Sequence, residues 1–152
     1  MGVLIVEPDN CVGCRNCVVA CSVDRHSLSK DFVSALTETP RPEPRIRLKQ
    51  VADKPVPVPC RHCEHAPCVL ACPSGAMSIA EDTSVLYDQE RCIKCFMCAA
   101  ACPFSACYVS EDASYVVKCD LCPNRDVPAC VDACTTRALT YQDCHPEVSD
   151  ED

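Results

Sequence analysis

Cysteines fall along this chain in four groups that share one rhythm. The first is Cys11, Cys14 and Cys17, closed by Cys21; the second is Cys60, Cys63 and Cys68, closed by Cys72. The third is Cys92, Cys95 and Cys98 with Cys102, and the fourth is Cys119, Cys122 and Cys130 with Cys134. Each group has two close cysteines, a third after a variable gap, and a fourth always four positions later. Zinc ribbons join two separated C-x2-C pairs and have no use for a third and fourth cysteine locked together. Disulfides give no reason for such spacing and belong to oxidising compartments. A cube of four irons and four sulfides, taking one thiolate per iron, does fit. Sixteen of the 18 cysteines therefore read as ligands of four [4Fe–4S] clusters.

The spacing has a physical cause. Three cysteines in a tight loop wrap one side of a cube, and the loop aims its backbone N–H groups at the negative cluster. The third cysteine opens a short helix, and the fourth lies about one turn further on the same face. That is too far to reach the same cube, so it serves the neighbouring one. Pro73 and Pro103 follow the fourth cysteine in two groups and stop the helix there.

The remaining composition needs such a staple. Of 152 residues, none is Trp, three are Phe and four are Tyr. Without the cysteines the 48% hydrophobic share falls to about 36%, below the usual level. Only a thin carbon core is available. The formal charge is −8, and four clusters with their thiolates would take it to about −16. Nucleic acid is an unsuitable partner for such a surface; a basic docking face on another protein suits it. No apolar run reaches the length of a membrane span, and Met1–Pro8 does not resemble an export signal. The expectation is a cytoplasmic protein with reduced thiols.

Short strands alternate with these loops. Residues 76–79 and 84–87 flank a turn, as do 106–109 and 114–117, and both read as hairpins. Residues 3–6 and 138–141 are the outermost strands. The stretch 22–59 breaks the rhythm: 24–36 reads as a helix or ordered loop, and six prolines surround a strand at 45–50. A stiff, unpaired surface wrap is expected there. Its basic group, Arg41, Arg45, Arg47, Lys49 and Lys54, reads as a solvated strand face, with partner docking as the rival reading. Cys107 falls outside the pattern as a small buried residue in a strand, and Cys144 reads as exposed. His62 and His65, inside the second group, are expected at the surface.

The first and third groups follow the C-x2-C-x2-C-x3-C run of bacterial ferredoxins. The sixteen cysteines together, with Lys118-Cys119-Asp120-Leu121-Cys122 and Arg137-Ala138-Leu139, resemble the four-cluster ferredoxin-like subunits of redox enzymes. That family includes the iron–sulfur subunit of dimethyl sulfoxide reductase and electron-transfer subunits of formate hydrogenlyase and carbon monoxide dehydrogenase. It also includes the polyferredoxin subunit of tungsten aldehyde oxidoreductase. The resemblance implies nested pairing, first group with fourth and second with third. The implied sets are Cys11/Cys14/Cys17/Cys134, Cys21/Cys119/Cys122/Cys130, Cys60/Cys63/Cys68/Cys102 and Cys72/Cys92/Cys95/Cys98. One local clue agrees: the inner groups end in Cys-Pro, the outer ones in Cys21-Ser22 and Cys134-Thr135. Where many ferredoxin repeats carry Cys-Pro-x-Gly, only Gly75 is present, with Ser105 and Arg137 in the equivalent places.

The fold expected is α+β, tandem bacterial-ferredoxin-like lobes with short strands and short helices around four iron–sulfur clusters. Residues 1–152 form one polyferredoxin unit. The inner lobe takes about 56–105, the outer 1–22 plus 106–142, with a Pro-rich insertion at 23–55 and an acidic tail at 143–152. A cube with four protein sulfurs has no open iron for substrate, and no Ser/His/Asp set, phosphate loop or acid pair supports catalysis. The chain therefore reads as a non-catalytic electron-transfer subunit between a catalytic oxidoreductase subunit (a molybdenum, tungsten or nickel enzyme, from the resemblance) and a second electron carrier. A free polyferredoxin shuttle without a permanent partner is the alternative. Arg15, Arg61 and Lys94 are the candidate cations for tuning potentials.

Overall fold

The computed structural model describes residues 2–143; Cys144, His145 and the acidic tail lie outside the described residues. The cysteine groups set the element order. Strand β1 (Gly2–Val6) leads through a 3-10 turn (Pro8–Asn10) into the first group and helix α1 (Asn16–Arg25). A short helix α2 (Phe32–Ala35) and the strands β2 (Arg47–Val51) and β3 (Lys54–Val58) precede the second group and α3 (Pro67–Leu70). Strands β4 (Met77–Ile79) and β5 (Val85–Tyr87) follow, then the third group with α4 (Met97–Ala101). Strands β6 (Cys107–Val109) and β7 (Val116–Lys118), α5 (Ala129–Asp132) and β8 (Leu139–Asp143) complete the chain.

The strands pair two by two and antiparallel: β1 with β8, β2 with β3, β4 with β5, and β6 with β7. The β1–β8 register, Val6 opposite Leu139 and Gly2 opposite Asp143, brings the two ends of the described chain side by side. Both expected hairpins form, and they share their turn chemistry. Asp82 accepts from the Ser84 N–H and hydroxyl, and Asp112 accepts from those of Ser114. Thr83 and Ala113 take the left-handed residue of each turn.

The Pro-rich stretch differs from its expectation. Residues 54–58 are not unpaired: β3 runs antiparallel to β2, with Pro55 opposite Gln50 and Pro57 opposite Leu48. The two prolines sit two apart, so both missing N–H groups face the same outer side of the ribbon, where no ladder bond is lost. Ala52 and Asp53, both with positive φ, form a two-residue turn whose twist suits the strands. Four of the five basic residues are also engaged rather than merely solvated. Arg45 pairs with Asp120, Arg47 stacks over the Tyr108 ring, Lys49 donates to the Phe104 carbonyl and Lys54 pairs with Asp9. Ile46, 1% exposed, anchors the stretch in the core.

Two apolar clusters form the interior. One joins Cys17, Cys21, Ile46, Cys130 and Leu139. The other joins Ala66, Cys68, Met77, Val85, Cys98, Cys107 and Val116, so the β6–β7 hairpin packs beside the second and third groups. Helix α1 packs on α5, and α3 on α4. Cysteines are the commonest member of both clusters.

Candidate metal centres

All four loops repeat one backbone device. The residue just before the second cysteine, Gly13, His62, Lys94 or Leu121, has φ of 71, 45, 60 or 61°. Only one of the four is glycine, so three side chains accept a conformation that ordinarily costs about 1–2 kcal/mol. Such left-handed residues turn successive N–H groups to one side, the concave arrangement that receives anions. The Lys94 N–H lies 3.4 Å from Cys92 Sγ and the Leu121 N–H 3.4 Å from Cys119 Sγ. The Arg45 N–H approaches Cys21 Sγ at 3.2 Å. In the two x2 groups, Arg15 and Phe96 repeat the device and cap the helices that follow.

The helices carry the third cysteine and project the fourth. Cys17 and Cys21 stand one turn apart on α1; Cys68 and Cys98 are buried near the starts of α3 and α4. Beyond the fourth cysteine of the last three groups the same turn recurs, with Gly75, Ser105 and Arg137 donating to the carbonyls of Cys72, Cys102 and Cys134. All three have positive φ, at 67, 52 and 55°. The loss of glycine at two of these places therefore leaves the turn unchanged and adds strain. Ser105→Gly and Arg137→Gly are each expected to stabilise the holoprotein by about 0.5 kcal/mol, the relieved strain being partly offset by glycine's greater freedom when unfolded. Thermal melts of the two variants against the parent check this.

The thiols gather across groups. Cys17 has Cys134, Cys11 and Cys14 as electrostatic neighbours, and burial, ahead of these, pushes its thiol up to about 11. Burial, first, raises the Cys130 thiol further still, and its neighbours are Cys119, Cys21, Cys122 and, from the first set, Cys17. Cys119 is driven up to about 12, again by burial first. One small cavity is lined by Cys60, Cys63, Cys68 and Cys102. Around the third group, Cys92 and Cys98 both face Tyr87, and Cys72 packs against the same apolar cluster. Cys14 and Cys95 are exposed, while the other fourteen group cysteines are buried or half-buried. The described cysteines are free thiols.

Residues 51–144, more than half of the chain, match the family model of the 4Fe-4S dicluster domain. The chain belongs to that family. The dicluster match contains the second, third and fourth cysteine groups, and the first precedes it. Among curated relatives, the putative electron transport protein YsaA of Escherichia coli strain K12 is 40% identical, over 92% of this chain and 88% of its own. The thiosulfate reductase electron transfer subunit PhsB of Salmonella typhi is 35% identical, over 91% and 74%. Among solved structures, a chain of the active site complex BamBC of benzoyl coenzyme A reductase superposes with a TM-score of 0.51 at 21% identity, covering 93% of this chain and 76% of that one, a likeness of fold alone. The protein is thus an α+β, ferredoxin-like iron–sulfur electron-transfer protein of oxidoreductase systems. Among the described residues no helix is long and apolar enough to cross a membrane.

Three residues around the thiols carry more than the sequence revealed. His62 is 5% exposed rather than at the surface, whereas His65 is exposed. Its left-handed backbone turns the ring inward, where Nδ1 accepts the Val85 N–H at 3.0 Å. Burial, then Lys118, holds His62 down to about 3, so the ring is neutral and Nε2 carries the proton. Cys107 is buried as expected, and its thiol also hydrogen-bonds Cys98, which lowers Cys98. Asp120, inside the fourth group, pairs with both Arg25 and Arg45. Burial opposes its ionisation, but the two guanidinium groups hold its carboxyl below the usual range.

Proposed function

We propose that the sixteen group cysteines hold four [4Fe–4S] clusters and that the chain is a non-catalytic subunit. It would relay electrons between a catalytic oxidoreductase subunit and another redox carrier. The four sets are Cys11/Cys14/Cys17/Cys134, Cys21/Cys119/Cys122/Cys130, Cys60/Cys63/Cys68/Cys102 and Cys72/Cys92/Cys95/Cys98. The observation that supports this reading is the crosswise gathering of thiols, with Cys17 near Cys134 as well as near its own Cys11 and Cys14, and Cys102 in one cavity with Cys60, Cys63 and Cys68.

A cube held by four thiolates supplies one-electron chemistry and keeps no iron open to substrate. The chain's own residues do the rest. Left-handed loop residues aim N–H groups at the sulfurs and offset negative charge. Buried thiols exclude water; burial raises the proton affinity of Cys17, Cys21 and Cys119, and iron bound to their sulfurs would favour the thiolate form. Exposure is confined to one cysteine of the first set, Cys14, and one of the last, Cys95. Exposed apolar neighbours accompany each: Val12 for the former, Ile93 and Met97 for the latter. Two accessible ends with a buried middle suit a relay that meets one partner at each end.

The outer lobe of this reading pairs α1 with α5 and β1 with β8. The inner lobe pairs α3 with α4, with the β6–β7 hairpin at the seam. By the family resemblance, the catalytic partner is a molybdenum, tungsten or nickel enzyme. Protein prepared without oxygen is expected to hold about 16 iron and 16 sulfide per chain, four of each for every cube, and to co-purify with a larger subunit. Zinc without sulfide overturns the reading.

A further inference from the structure

Lys118 is 4% exposed, and its ammonium is held by two carbonyls, Val85 O at 2.5 Å and Cys119 O at 2.7 Å. No carboxylate among the described residues pairs with it. The two carboxylates that line the surrounding cleft have other partners, Asp120 pairing with Arg25 and Arg45, and Asp82 accepting from Ser84. An unpaired charge in such a place costs several kcal/mol unless negative charge faces it. What faces Lys118 is sulfur. It lines the cavity shared by Cys60, Cys63, Cys68 and Cys102, and it adjoins Cys119 in the chain. Cys119 in turn has both Cys21 and Cys60 as neighbours, so two thiol sets meet at this point. Val85 ties His62 and Lys118 together from one residue, its N–H donating to His62 and its carbonyl accepting from Lys118. Arg15, Arg61 and Lys94, the cations first considered for tuning, are all exposed, and the Arg61 guanidinium lies over Phe104.

We infer that the Lys118 ammonium is the shared counter-charge of the sets Cys21/Cys119/Cys122/Cys130 and Cys60/Cys63/Cys68/Cys102, favouring reduction of both while leaving the other two sets alone. This rests on the cluster reading above. A fixed positive charge between two anionic centres stabilises the more negative, reduced form of each, and burial keeps solvent from screening it. Lys118 is thus a positioning residue at the junction between the outer and inner sets.

The test is an anaerobic dithionite titration followed by EPR on the complete protein and on Lys118→Met, which keeps the volume and removes the charge. Two of the four reduction potentials are expected to fall, each reduction constant dropping about tenfold, equivalent to 59 mV for one electron. The other two hold, and Lys118→Arg restores the pair. Four unmoved potentials, or four that move together, overturn the inference. If Lys118→Met takes up no iron, Lys118→Arg decides: restored uptake with parental potentials supports a charge requirement, and failure of both variants overturns it. A parent protein short of about 16 iron takes the cluster reading down with this one, whereas full iron with unmoved potentials removes this one alone.

Discussion

Adding Cys102→Ala to a Cys60→Ala/Cys63→Ala chain is expected to cost no further iron. Adding it to a Cys92→Ala/Cys95→Ala chain is expected to cost up to about four more atoms. The loop double variants each abolish one cube, and the iron count then asks which cube Cys102 serves. Cys102 follows Cys98 in sequence, but it shares its cavity with Cys60, Cys63 and Cys68. Residues that act on one site show strong non-additivity, and residues on separate sites add. The reverse pattern, with the further loss appearing only in the Cys60/Cys63 background, would return Cys102 to its own group and end the crosswise arrangement. The same design with Cys134→Ala is expected to show no further loss only when Cys11 and Cys14 are already replaced, because Cys134 is a neighbour of Cys17.

Stripping the iron with a chelator under reducing conditions is expected to unfold the chain. The fully buried large side chains are few, with Ile46, Leu139, Val85 and Val117 among them. Among the described residues every sheet has two strands, and isolated two-stranded ribbons are marginal in water. The longest helix among the described residues has 10 residues, below the length at which helices persist alone. Cysteines make up much of both apolar clusters, so metal removal exposes thiols where a larger protein would have leucines. Binding free energy is then largely folding free energy. Far-UV circular dichroism and limited proteolysis read the outcome: loss of the signal and rapid cleavage are expected. A stripped protein with a parental spectrum and a cooperative melt would refute the dependence.

The cysteine spacing made most of this architecture legible. A helix opening at the third cysteine and two acidic-tipped hairpins follow from local periodicity and turn chemistry, with counterparts at α3, α4, β4–β5 and β6–β7. Only α1 runs on to its fourth cysteine, whereas α3, α4 and α5 end before Cys72, Cys102 and Cys134. What escaped depends on contacts between distant residues. Pro55 and Pro57 carry a breaker's signature, yet their alternation leaves the bonding edge of β3 intact, which only the register with β2 reveals. His62 looks like a surface histidine in a polar loop; its burial depends on the positive φ at that residue and on Val85, 23 residues away, needing an acceptor. Lys118 enters the sequence only as the first residue of the Lys118-Cys119-Asp120-Leu121-Cys122 motif, and only the fold shows it buried with no carboxylate paired to it among the described residues. The hydrogen bond from Cys107 to Cys98 is likewise invisible in spacing.

The pairing of β1 with β8 has a consequence for how the protein is made. On the ribosome, Val6 has no partner until Leu139 has left the exit tunnel. Residues 2–6 stay an open edge until the segment holding Leu139 has been made, the condition in which an unpaired strand is most prone to wrong pairing. Maturation of the halves is then staggered, the interior segment closing first and the termini sealing last. A nascent chain stalled before residue 139 would be trapped with its amino-terminal strand unzipped, however many of its thiols had already emerged.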